Sequence, residues 1–197
     1  MMIRKRAILQ TIIIIFGFHY TKVKMELNNL VRAAIFAALA VGMGFSLMLV
    51  PNIELITVIV FLSGVTLGTG WGGLVGGTAI FIYSGMNPMG SGLSFPPLFL
   101  MQIFSMIITG VVGGIFRPFF FKKKINLLSL VGLSLLGFML TLIYDVLTLI
   151  SYPLSAGLGF TGALASLAQG LGFMVLHEVS NAVIFVLAVP RVVKYIK

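Results

Sequence analysis

Three polar residues near the C-terminus carry the clearest chemical signal. His177, Glu178 and Asn181 stand in the run Leu176-His177-Glu178-Val179-Ser180-Asn181. That run lies inside an apolar stretch, Ala168 to Val189, of about 20 residues, enough to cross a bilayer as a helix. His177 and Asn181 are four apart and Glu178 and Asn181 three apart, so a helix brings all three to one face. Lipid penalises unpaired polar groups, so that face must turn towards protein or a wet cavity. A metal reading of His177-Glu178 fails on spacing: a zinc-binding helix needs a second His at i+4, where Asn181 stands. The chain has two His and no Cys, and no Ser with an evident base partner. The expectation is therefore a binding site, with no metal and no enzymatic step.

Two further acids are relevant. Asp145 lies about 8 Å, at 1.5 Å per residue, from the end of its own apolar segment. Glu54 opens another segment, where an acid at a helix N-terminus is also favoured by the helix dipole alone. Asp145 and Glu178 at membrane depth are functional candidates, although hydrogen bonds to neighbouring side chains would also account for them. Asn87, Ser91, Gln102, Tyr144, Tyr152 and Gln169 gather towards the same side of the membrane. Phe95, Phe99 and Phe173 are candidates for aromatic walls. The predicted binding residues are Asn87, Tyr144, Asp145, His177, Glu178 and Asn181.

The elements that position these groups follow from composition. Of 197 residues, 59% are hydrophobic and 9% charged, and the mean hydropathy is +1.17. A soluble domain could not hide that much apolar surface, so the class is an all-α integral membrane protein. Six spans are predicted: about 30–50, 54–68, 74–84, 98–116, 127–150 and 168–189. Pro51-Asn52, a glycine turn at Thr69-Gly70-Trp71-Gly72-Gly73, Asn87-Pro88, Arg117-Pro118 and Tyr152-Pro153 separate them. The segment 1–24 is set apart from the membrane domain 25–197. Arg4-Lys5-Arg6 before a short apolar run fits a signal-like segment, an interfacial helix, or residues upstream of a true start at Met25.

The net charge of +9 reads as a topology signal rather than a nucleic-acid footprint. All 13 Lys and Arg fall in three places: up to Arg32, between Arg117 and Lys124, and from Arg191 to Lys197. With six spans, that pattern places both termini inside under the positive-inside rule. The outer half then has no fixed cation besides His177, so anionic ligands are disfavoured. Small residues four apart, such as Ala33 with Ala37, Ala34 with Ala38, Gly64 with Gly68, Gly72 with Gly76 and Gly110 with Gly114, let helices approach closely.

The order of these features resembles the substrate-binding S components of energy-coupling-factor (ECF) vitamin transporters. Met25-Glu26-Leu27 leads to Arg32-Ala33-Ala34-Ile35-Phe36-Ala37-Ala38-Leu39-Ala40, similar to that family's alanine-rich first helix. Pro51-Asn52-Ile53-Glu54 resembles its first outer turn. Leu67 to Gly77 with Asn87-Pro88 resembles its glycine-rich hairpin and outer loop, and Asn181 to Phe185 its last helix. The resemblance covers 25–197; the N-terminal extension departs from it.

The resemblance implies a subunit of the cell membrane that captures a vitamin from outside and binds no cofactor itself. A transmembrane T subunit and two ATP-hydrolysing subunits would deliver the cargo. Ala33, Ala34, Ala37 and Ala38 would dock on the T subunit. The charge pattern adds that the cargo is neutral or cationic, such as a thiamin-, pyridoxine- or cobalamin-related compound. A stand-alone permease using Asp145 and Glu178 as a proton relay is the alternative.

Overall fold

The structure is a computed structural model that describes residues 26–122 and 126–196. The predicted extension 1–24, and the basic residues Lys123, Lys124 and Lys197, lie outside the described residues. Helix α1 spans Glu26–Leu47. It is followed by α2 (Ile56–Leu67), α3 (Thr69–Gly85), a short 3-10 turn (Gly92–Ser94), α4 (Pro96–Lys122), α5 (Leu127–Ser155) and α6 (Gly159–Ile196). No strand occurs among the described residues. The chain divides into two units, Met1–Arg32 and Ala33–Lys197. The described part of the first is the opening of α1, an exposed helical stretch in which only Asn29 is partly buried.

Four helices, α1, α4, α5 and α6, are long and apolar enough to cross a membrane. Their amphipathicity is inverted in the way lipid requires. On α6, Val175, Val179, Val183 and Leu187 are exposed while Glu178, Ala182, Phe185, Val189 and Val193 are buried. The apolar face that water would reject is the one that lipid accepts.

Helix α2 is different. Its 12 residues reach about 18 Å, short of a bilayer core of about 30 Å. Every residue except Thr66 is buried, as expected of a helix that is apolar all round. Phe61 at its middle meets the rings of Phe120 (6.1 Å, edge-on) and Phe185 (5.1 Å). It thereby ties α2 to α4 and α6.

The predicted boundaries need correction at glycine and proline. Thr69-Gly70-Trp71-Gly72-Gly73 is not a turn but the opening of α3. Only Gly68, at φ +97°, makes the break. The neighbouring glycines serve contact instead. A methyl group on Gly110 would lie 1.9 Å from the Gly72 carbonyl oxygen, and one on Gly64 2.0 Å from that of Gly110. The α2–α3–α4 junction is therefore packed backbone to backbone, as small residues allow. Pro118, Pro153 and Pro190 do not end helices; they lie inside α4, α5 and α6. Membrane helices tolerate Pro where neighbours re-satisfy the freed carbonyl. As a result α6 runs 38 residues, about 57 Å, and the fifth-to-sixth connection shrinks to residues 156–158.

Candidate functional site

The site is built on His177. Its ring is turned from α6 towards α5, where Nδ1 lies 2.9 Å and 3.1 Å from the two carboxylate oxygens of Asp145. On its other side Nε2 faces Glu54 Oε1 at 3.8 Å, longer than a hydrogen bond. The Tyr144 ring stands edge-on to the imidazole at 6.2 Å between centroids. One imidazole thus joins the α1–α2 connection, α5 and α6.

Glu54 has two roles. Its Oε2 accepts the backbone N–H of Thr57 at 2.9 Å, which satisfies an orphan donor at the start of α2. Its Oε1 has no hydrogen-bond partner among the described residues. Burial opposes its charge, but His177 and Thr57 outweigh burial and hold the carboxyl below its ordinary value of 4.5. The connection that carries Glu54 is anchored by Asn52. That residue takes the left-handed conformation, φ 57°, and its carbonyl accepts the Ser180 hydroxyl of α6 at 2.6 Å.

Two cavities flank this cluster. An inner one of about 210 Å³ lies under the α1–α2 connection and is lined by Asn52, Glu54, Thr57, Tyr83, Tyr144 and His177, with apolar side chains of α1 to α4. A second, about 570 Å³, lies between α4, α5 and α6, where Phe95, Gln102, Tyr144, Thr148, Tyr152 and Gln169 line it. Tyr144 belongs to both. Phe95 and Tyr152 approach with ring centroids 6.0 Å apart. Gln102 accepts the Ser84 hydroxyl at 2.5 Å. Among the described residues neither lining includes a Lys or an Arg.

The predicted residues distribute unevenly over this geometry. Tyr144 and His177 line a cavity. Asp145 lines neither; it stands behind His177 and orients it. Glu178 is buried, 4% exposed, and lines neither cavity; its Oε1 has no partner among the described residues. Glu178 points about 100° away from His177 around α6, and of the two only His177 reaches the inner cavity. Asn181 is fully buried one turn further along and donates Nδ2–H to the His177 carbonyl at 3.4 Å. Asn87 closes its own turn, accepting the Met89 N–H at 2.9 Å. Phe173, expected as an aromatic wall, is 68% exposed; Phe99 is buried against Phe81.

Sequence reasoning missed Thr57, Asn52 and Ser180, and weighed Glu54 more towards the helix dipole than towards the site. The Ser180–Asn52 bond joins residues 128 apart, which no local pattern announces. Ala33 and Ala37 are buried in the core, whereas Ala34 and Ala38 are exposed. The alanine motif therefore splits between an inward and an outward face. No three His, Asp or Glu side chains among the described residues converge as a metal set, because both carboxylates address one imidazole. Comparison with protein-family models, with curated proteins and with solved structures finds no match to this chain.

Proposed function

We propose that the chain is the substrate-capturing S component of an ECF-type importer in the cell membrane. It takes a neutral or cationic vitamin-like molecule from outside and carries out no catalytic step. The observation that carries this reading is the pair of cavities that share Tyr144 in their linings. One is edged by Glu54 and His177, and the described lining of both has uncharged polar groups and aromatic rings but no fixed cation. Such a pocket, mostly apolar with a few convergent polar groups, suits capture of a small molecule and repels an anion. The motif order from Met25 to Pro190 supports the same family, and with it an N-in, C-in topology. Ala34 and Ala38, exposed on α1, then form the outward docking face for the T subunit, while Ala33 and Ala37 hold α1 to its own core.

The test is reconstitution in liposomes. Uptake is expected only when a T subunit, both ATPases and ATP are present. Ala38→Trp should abolish uptake while leaving cargo binding unchanged. Uptake by the chain alone, driven by a proton gradient, would replace this reading with the permease. One observation favours that second reading: the Asp145–His177–Glu54 chain is a contiguous set of titratable groups within hydrogen-bond reach or one bridging molecule of each other.

A further inference from the structure

We infer that the inner cavity is a cation subsite, in which Glu54 Oε1 and Thr57 Oγ1 receive a protonated nitrogen of the cargo. The inference rests on the importer reading for the ligand's role, though not for the existence of the site. Thr57 is the starting point. It is 1% exposed, lines the inner cavity, and its hydroxyl has no hydrogen-bond partner among the described residues. The other buried hydroxyls among the described residues are all satisfied. Ser63, Ser105, Thr109, Thr141 and Ser151 bond carbonyls of their own helices, Ser84 bonds Gln102 and Ser129 bonds Asn126. Thr57 stands in the first turn of α2, where the residue four back lies outside the helix. A buried hydroxyl left in that state is costly unless something else completes it.

Glu54 supplies the matching charge. Its Oε2 is committed to the Thr57 N–H, but Oε1 has no hydrogen-bond partner among the described residues. The 3.8 Å between Oε1 and His177 Nε2 leaves Oε1 able to accept from a third group. The geometry agrees: two carboxyl groups, of Glu54 and Asp145, face a single imidazole, so the cluster has more acidic than basic groups. The rings of Tyr83 and Tyr144 line the same space and favour a cation over their faces.

Size sets the division of the ligand. About 210 Å³ holds a charged end or a single ring, not a whole large vitamin. The larger cavity, which shares Tyr144 in its lining, is the space proposed for the rest of the ligand. There Gln102, Thr148 and Gln169 offer neutral hydrogen bonds, and Phe95 and Tyr152 offer flat apolar faces. The cargo class is thus a compact molecule with one protonated nitrogen at one end and an uncharged ring or amide portion at the other.

Methylammonium tests the subsite without knowledge of the cargo. The full chain in lipid nanodiscs is titrated calorimetrically with methylammonium chloride at ionic strength matched with sodium chloride. Wild type and Thr57→Ser should bind it in preference to sodium, and Thr57→Val and Glu54→Gln should each weaken it about tenfold, the loss expected of one hydrogen bond to a charged group. Thr57→Val should melt at or above the wild-type temperature without methylammonium, because it removes an unpaired hydroxyl; a merely structural Thr57 would lose stability. No preference over sodium, or equal affinity in Thr57→Val, would overturn the subsite. If methylammonium binds as expected but uptake needs no T subunit, the importer reading fails and the subsite stands. If uptake is T-subunit dependent but neither methylammonium nor Thr57→Val affects it, the reverse holds.

Discussion

His177 faces two carboxylates, one from α5 and one from the α1–α2 connection, and Asp145, within α5, depends on the imidazole more than Glu54 does, which also accepts the Thr57 N–H. Removing one member of a buried charged pair strands the other. His177→Ala is therefore expected to cost about 3 kcal/mol of stability. Adding Asp145→Asn to it should recover part of that loss, because the stranded charge disappears with it. Thermal unfolding of the three variants in one detergent reads the cycle; a double variant less stable than His177→Ala would contradict the pairing. Glu54 makes a pH-dependent contribution of known sign. Its carboxyl is held below 4.5 in the folded chain, so its stabilisation is complete above that value and is lost as pH falls through the lower, folded one. The gap in melting temperature between wild type and Glu54→Gln should thus be constant near neutrality and close only in acid. A gap that closes between pH 8 and 6 would show that Glu54 titrates elsewhere.

At the scale of elements, α2, α3 and α4 depend on glycine where most helix pairs depend on side chains. Gly110→Ala would drive a methyl into the Gly72 carbonyl, and a loss of about 2–4 kcal/mol is expected. Gly132→Ala, on α5 with nothing within 4 Å of the added atom, should be neutral or stabilising by up to about 1 kcal/mol. Equal effects of the two in a thermal melt would mean that the α3–α4 contact is not this close. The sequence reports these elements in part. Long apolar runs announce α1, α4, α5 and α6, because lipid-facing helices cannot be anything else. The ends mislead, because Gly and Pro punctuate soluble chains but pack or bend membrane helices. This is why Thr69–Gly73 reads as a turn and is helix, and why α6 begins at Gly159 rather than near Ala168. The site was readable where one residue sufficed, as with Tyr144 and His177. It was unreadable where a local explanation hid a distant one: a cap at Glu54 looks complete without His177, 123 positions away.

For the whole molecule, the cavity under the α1–α2 connection, edged by Glu54 and His177 and without Lys or Arg in its described lining, is where the proposed function is seated. Backbone contact among α2, α3 and α4 makes a rigid wall, α5 and α6 bring Asp145 and His177 to it, and Asn52 pins the connection across the top through Ser180. Ala34 and Ala38 are exposed on α1, on the face that the proposed function assigns to the T subunit. The most direct test of this account is equilibrium binding of a vitamin panel to the purified full chain. Thiamin- or pyridoxine-like compounds should bind more tightly than pantothenate or folate, and Glu54→Gln with Asp145→Asn should weaken them by at least about tenfold. Tightest binding of an acidic vitamin, unchanged in that double variant, would contradict it.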